Sequence, residues 1–257
     1  MELSIQKFPF PLVSQLTEGF LTGGVYILAG PPGIGKSVFV RRIIADIIGE
    51  ASILYVSVDS SVKDLLTFLD NVGLSKYSEK IKLLDAFSSN ITGIKQEAQY
   101  EKINLGSISE ALFTIYSKLS QMQGKKFLVI DSITEVMIGF DPNKVINFVK
   151  GLKQVCECAE ATSILTIHTG PESLQDILWA LEYLSDGYIE LGYEPNFEAV
   201  GLLLRRIRVK KMRGMYHDTN WYPFKIGKNY TIQFYKPEEI KALTEAITGK
   251  GATQQSK

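Results

Sequence analysis

Nine residues, Ala29-Gly30-Pro31-Pro32-Gly33-Ile34-Gly35-Lys36-Ser37, constrain this chain more than any others. They match the phosphate-binding loop pattern G-x-x-x-x-G-K-[ST], and each position has a physical task. Gly30, Gly33 and Gly35 open backbone conformations closed to other residues, so that successive N–H groups converge on phosphate oxygens. Lys36 brings a cation to the β- and γ-phosphates, and the Ser37 hydroxyl can enter a Mg²⁺ shell. The flanks agree with this reading. Val25 to Ala29 reads as a short buried strand. Val38 to Ile48 reads as a helix whose N-terminal N–H groups and dipole favour an anion.

Composition narrows the partners. The 257 residues carry 28 Lys+Arg and 28 Asp+Glu, so bulk electrostatics does not favour a chain that coats nucleic acid. With 45% hydrophobic residues a sizeable core is expected. The two cysteines, Cys156 and Cys158, lie in a helical pattern beside Glu157 and read as free thiols of a cytoplasmic protein rather than as metal ligands. Met1 to Ser4 has no secretory pattern, and no apolar run approaches the roughly 20 residues that span a bilayer.

Along the chain, residues 1–20 read as an extended entry segment, because Pro9 and Pro11 exclude helix and central strand. Strand patterns follow at Ser52–Val58, Ile81–Leu84, Phe127–Asp131 and Ser163–His168. Helical patterns lie at Val62–Val72, capped by Ser61, then at Ile108–Met122, Asn143–Ala159 and Leu174–Leu184. Ile108, Ala111, Leu112, Ile115 and Leu119 share one face of their helix. Residues 86–106 are weakly patterned and read as a mobile excursion. Beyond Asp186-Gly187 the helical period gives way to strands near 201–212, 221–226 and 231–235, which read as antiparallel additions to a sheet. A last helix is predicted from 238 to about 247, within a domain over 1–248, and 249–257 reads as a disordered tail.

Three further features carry chemistry. Phe127-Leu128-Val129-Ile130-Asp131 is an apolar strand that ends in an acid. In an open parallel sheet that end faces the ligand edge, where Asp131 would hold Mg²⁺ directly or through water. His168 ends another apolar strand on the same edge, either as a structural histidine or as a γ-phosphate sensor. Finally Arg205, Arg206, Arg208, Lys210, Lys211 and Arg213 fall within nine residues. Strand alternation points Arg206, Arg208 and Lys210 one way, and Lys211 and Arg213 the other way with Ile207 and Val209. That stretch is open to three readings: a charged sheet edge, a phosphate clamp or a nucleic-acid track.

Gly30 to Ser37, Asp131-Ser132, the Leu181–Ile189 segment and Lys211-Met212-Arg213-Gly214-x-x-His217 occur in an order that resembles the KaiC-like branch of the RecA/RadA ATPase superfamily, in particular its single-domain archaeal members. The resemblance implies an α/β fold with a RecA-like P-loop NTPase core, a mainly parallel sheet flanked by helices, and antiparallel C-terminal strands. It also implies ATP with Mg²⁺ at an interface between copies of the chain in a hexameric ring or filament. Gly30, Pro31, Pro32, Gly33, Ile34, Gly35, Lys36, Ser37 and Val38 would hold the nucleotide, with Asp131, His168 and His217, and Ser37 and Asp131 would hold the metal. Lys211 and Arg213 would reach the neighbouring subunit's phosphates.

The same resemblance exposes two departures. The family carries adjacent carboxylates after the second core strand, one of them activating the attacking water. Here Asp59 matches the first approximately and Ser60 replaces the second. Asp59 is therefore the remaining candidate base, and its shorter side chain points to slow hydrolysis. The usual G-x-x-x-L-D entry motif is absent from 8–20. The expectation is a weak Mg-dependent ATPase acting as a nucleotide-dependent switch. The alternatives are a recombinase paralogue that binds single-stranded DNA, and a non-hydrolysing ATP-bound scaffold for a protein partner.

Overall fold

The computed structural model describes residue 14 and residues 16–87, 100–139, 141–170 and 172–254. The Phe8–Pro11 pattern, most of the 86–106 stretch and residues 255–257 lie outside these. Among the described residues ten strands form one sheet: β1 (Val25–Gly30), β2 (Ala51–Ser57), β3 (Ile81–Asp85), β4 (Glu101–Lys102), β5 (Lys125–Asp131), β6 (Ala161–His168), β7 (Gly187–Tyr193), β8 (Arg205–Met212), β9 (Tyr222–Ile226) and β10 (Ile232–Phe234). Their spatial order is β10-β9-β8-β7-β1-β6-β5-β2-β3-β4. Strands β1 to β7 pair in parallel. β8, β9 and β10 extend the sheet antiparallel beyond β7.

The central strands are mostly apolar because both faces are covered. On one face, Phe39, Val40, Ile43, Ile44 and Ile47 of α1 (Lys36–Ile47) and Leu65, Phe68 and Leu69 of α2 (Val62–Asn71) bury against Tyr26, Leu28, Ile53 and Tyr55. On the other, α3 (Ile108–Ser120), α4 (Thr134–Gly139), α5 (Pro142–Ala159) and α6 (Gln175–Leu184) cover Val25, Ile27, Leu54 and Val56. Adjacent residues of one strand thus enter different cores, the period-two rule read in three dimensions. In α3 the predicted face is the buried one: Ala111, Ile115 and Leu119 are sealed, and Ile108 and Leu112 pack against them. Ser61 caps α2 through its side chain, which accepts from Lys63 N, and Asp141 caps α5 by accepting from Asn143 N. A single-turn helix, α7 (Pro195–Glu198), and a longer one, α8 (Pro237–Gln254), complete the later half of the chain.

Four expectations are corrected. α1 begins at Lys36 rather than Val38, so the free N–H groups of its first turn belong to the loop lysine and its neighbours. Within 86–106, β4 pairs in parallel with β3, and Ile103 and Leu105 are buried after it, which fixes the end of that stretch. α8 continues through Gly249 and Gly251 to Gln254, where a tail was expected. Glycine costs a helix only about 1 kcal/mol relative to alanine and does not stop it as proline would. In β8, Tyr188 faces Lys211 but Ile189 faces Val209, leaving Lys210 as the extra residue of a bulge. The bulge reverses the parity, so Lys211 shares a face with Arg206 and Arg208, and Met212 joins Ile207 and Val209 on the buried side.

Candidate nucleotide site

Parallel pairing of β1, β6, β5 and β2 brings four strand ends to one edge. Gly30 of β1 lies beside His168 of β6, and Asp131 of β5 lies beside Ser57 of β2. The phosphate loop leaves β1 there. A Cβ on Gly30 would meet the Leu191 carbonyl oxygen at 2.8 Å, and Gly35 enters α1 at φ 107° with Ile226 Cδ1 2.5 Å from where a Cβ would stand. Neither position admits a side chain. Arg205 of β8 donates its Nε–H to the Ile34 carbonyl at 3.0 Å and ties the loop to the antiparallel strands.

Lys36 is 5% exposed. Its Nζ donates to the carbonyls of Gly30 (2.9 Å) and Pro31 (3.0 Å) and to His168 Nδ1 (2.7 Å). Because Nδ1 accepts from the ammonium, the ring proton sits on Nε2, which faces Asp59 Oδ2 at 3.2 Å. A continuous chain, Lys36–His168–Asp59, therefore crosses the carboxyl edge. Arg41, one turn beyond Ser37 on α1, reaches Ser60 Oγ at 3.4 Å, at the place where a second carboxylate was expected.

Asp131 is buried, and three hydroxyls donate to its carboxylate: Ser37 Oγ (3.1 Å) and Thr166 Oγ1 (2.7 Å) to Oδ1, and Tyr55 Oη (2.7 Å) to Oδ2. This all-oxygen set suits a hard cation such as Mg²⁺, which takes one or two protein ligands and completes its shell with water and phosphate. Ser37 and Asp131 fit the metal they were expected to hold. Burial beside Asp131 pushes the Tyr55 phenol well above its usual range, so it stays a donor.

Burial pulls the Lys36 ammonium down to about 8, against the opposing fields of Asp131 and Asp59. A phosphate at Lys36 favours the charged form, so ligand binding above pH 8 must take up a proton. We expect ATP affinity to fall by up to about tenfold per pH unit above 8. Calorimetry in buffers of different ionisation heat should register the proton taken up near pH 9; no uptake there would refute the assignment.

The remaining predicted residues lie elsewhere. Arg205 faces Tyr193 and Met212 faces Gly187, so β8 runs away from the phosphate loop. Six residues of strand rise place Lys211 about 20 Å from Arg205 and the loop it touches. Lys211 Nζ donates to the carbonyls of Glu182 (2.6 Å) and Tyr183 (2.8 Å) at the end of α6, and Arg213 Nη2 donates to Tyr183 O at 3.1 Å. Asp186 stands 3.6 Å from Arg213 Nη1 and 2.6 Å from Lys153 Nζ. Desolvation, then Arg213, lowers the Lys211 ammonium below its ordinary range. His217 lies beyond the Gly214 turn and bridges to Thr17. Lys211, Arg213 and His217 are thus separated from the Lys36 site of their own chain.

Tyr55, Thr166 and Thr134 are not singled out by the sequence, and Arg205 stands out there only as a member of the basic run, not as a contact of the phosphate loop. The Thr134 hydroxyl accepts from His168 N at 2.8 Å and sets that strand end. The available signal was a hydroxyl inside an apolar strand run two residues or so before the carboxyl edge, as at Tyr55 and Thr166.

A phosphate loop on β1, a buried acid on β5 and a parallel sheet extended by antiparallel strands define a nucleotide-binding protein with a RecA-like core. More narrowly, the chain belongs to the KaiC ATPase family, whose model matches residues 12–239. It is 28% identical over 233 residues to a UPF0273 protein of Pyrococcus furiosus, covering 88% of this chain and 90% of that one. It is 26% identical to the circadian clock protein KaiC2 of a Synechocystis strain, over 88% of this chain and 40% of that protein. A KaiC-like protein from Pyrococcus horikoshii shares the fold, with a TM-score of 0.67 at 24% identity over 90% of this chain and 98% of that chain. Among the described residues, no helix is long and apolar enough to cross a membrane. Cys156 is buried, Cys158 is exposed, and both are free.

Proposed function

We propose that the protein is a slow, Mg²⁺-dependent ATPase whose site is completed by a second copy of the chain, and that its nucleotide state acts as a switch. One observation carries this reading. Lys36, Ser37, Asp131, His168 and Asp59 converge on one edge, whereas Lys211 and Arg213 lie about 20 Å down β8, beyond the reach of any side chain. Cations so placed serve a phosphate only if another copy presents it.

Lys36 and the N–H groups of the loop and the first turn of α1 bind the phosphates. Ser37 and Asp131 would hold the metal, which would neutralise phosphate charge and orient the phosphates. Asp59 accepts the proton of the attacking water, and the Nε2–H of His168 holds the Asp59 carboxylate in place. When Lys36 turns from His168 to a phosphate, His168 Nδ1 loses its donor while its Nε2–H stays on Asp59. This makes His168 the reporter of nucleotide state. Lys211 and Arg213 stabilise the charge that develops on the neighbour's γ-phosphoryl group.

Asp59→Asn should lower kcat about a hundredfold, within the usual range for loss of a general base, with little change in ATP affinity. An unchanged kcat would remove Asp59 from this role. The Arg41–Ser60 contact supports one other reading, a non-hydrolysing ATP-held scaffold, which requires ATP binding without phosphate release in the parent chain itself.

The basic strand does not favour a nucleic-acid track. Arg206 pairs with Glu194 at 2.9 Å, Arg208 with Glu190 at 2.6 Å and Lys210 with Glu182 at 2.6 Å. Trp221 lies under the Arg206 and Arg208 guanidinium groups. Charges neutralised within the fold release few counterions.

A further inference from the structure

Two apolar patches stand at opposite ends of β8. At the Lys211 end, Trp179 and Tyr183 of α6 are 71% and 66% exposed and lie nearly parallel, with ring centroids 6.1 Å apart. With Glu182 and Lys211 they line a recess of about 240 Å³. At the phosphate-loop end, Val200, Leu202 and Leu203 are each half exposed or more, in the segment that leads into Arg205. Large apolar side chains grouped on a surface mark an interaction site, and bare Trp and Tyr are the residues that most often anchor one.

The two patches are linked to the nucleotide chemistry. The Tyr183 carbonyl accepts from both Lys211 and Arg213, so the residue that carries the exposed ring also holds both cations. Whatever presents a triphosphate to these cations must lie against that ring. In a second copy, the Val200–Leu203 segment leads directly into Arg205, whose Nε–H reaches the phosphate loop at Ile34. Charge complementarity sets the same polarity, with cations at one end and a bound polyanion at the other.

Resting on the between-subunit reading above, we infer that the Trp179–Tyr183 shelf of one copy packs on the Val200–Leu203 segment of the next. This contact is head to tail. Each copy uses two different surfaces, so the contact propagates into a closed ring or a filament.

The test uses the full chain with ATP and Mg²⁺, with mass read by light scattering over a range of concentrations. Two double variants are made, Trp179→Ser with Tyr183→Ser, and Leu202→Ser with Leu203→Ser. All four residues are exposed, and ATP binding by unassembled subunits serves as the folding control. Each double variant should need at least tenfold higher concentration to assemble. Mixed in equal amounts where neither assembles alone, the two should form a dimer, because one intact shelf then meets one intact segment. Assembly of either variant at parental concentration, or a mixture that stays monomeric, would overturn the contact. Failure of the underlying reading looks different: Lys211→Ala and Arg213→Ala would then turn over normally. Loss of turnover in those variants, with the shelf variant assembling normally, would leave the shared site standing and reject the shelf.

Discussion

Arg213→Ala and Lys211→Ala proteins should hydrolyse ATP at least about a hundredfold more slowly than the parent chain, and isolated subunits should bind ATP almost as before. An arginine supplied across an interface is worth roughly 10³–10⁵ in turnover for phosphoryl transfer, and the lower figure used here allows for a slow parent enzyme. The structure separates the two readouts. Neither cation touches the chain's own phosphate loop: Lys211 is held by the Glu182 and Tyr183 carbonyls and Arg213 by Tyr183, at the far end of β8. Removing them takes away charge stabilisation in the transition state and leaves Lys36, Ser37 and the loop amides intact. Mixing supplies the sharper form. Arg213→Ala subunits with a sound phosphate loop should regain turnover when mixed with Lys36→Met subunits that carry a sound Arg213.

Lys36→Met should abolish ATP binding and, without ligand, raise the thermal stability of the chain at pH 7. The sign follows from Lys36 being pulled down to about 8 by burial. A lysine whose folded value lies below its unfolded value of about 10.4 imposes a cost while both states are charged. That cost is full below pH 8 and disappears as pH rises to the unfolded value. The stability gained by the substitution should therefore be largest at neutral pH and shrink between pH 8 and about 10.4. A melting temperature lower than the parent's at pH 7 would show that the Gly30, Pro31 and His168 contacts outweigh the buried charge. Stability given up at a functional lysine is the usual exchange at a binding site.

Much of this arrangement is legible in the amino-acid sequence. The strand–loop–helix order around Lys36 follows from glycine spacing and a change of hydrophobic period, both local properties. Asp131 is legible for the same reason, since an apolar run ending in an acid delivers it to the strand's carboxyl edge. The facing of Lys211 is not. It depends on one extra residue opposite Tyr188, and a bulge leaves no mark in a run of alternating cations and aliphatics. The partners of Arg206, Arg208 and Lys210 are hidden as well, because Glu194, Glu190 and Glu182 lie 12 to 28 residues away along the chain and meet them only through antiparallel pairing and the end of α6. Tyr55 and Thr166 read as ordinary strand formers, and only the neighbouring strands show that their hydroxyls converge on Asp131.

A catalytic site shared between copies makes turnover depend on association, so the decisive measurement is steady-state ATP hydrolysis across a range of protein concentrations, with the Lys36→Met protein as the blank. Turnover per subunit should rise steeply as subunits associate and be absent from the blank. Turnover per subunit that is independent of concentration down to the monomer would contradict a shared site.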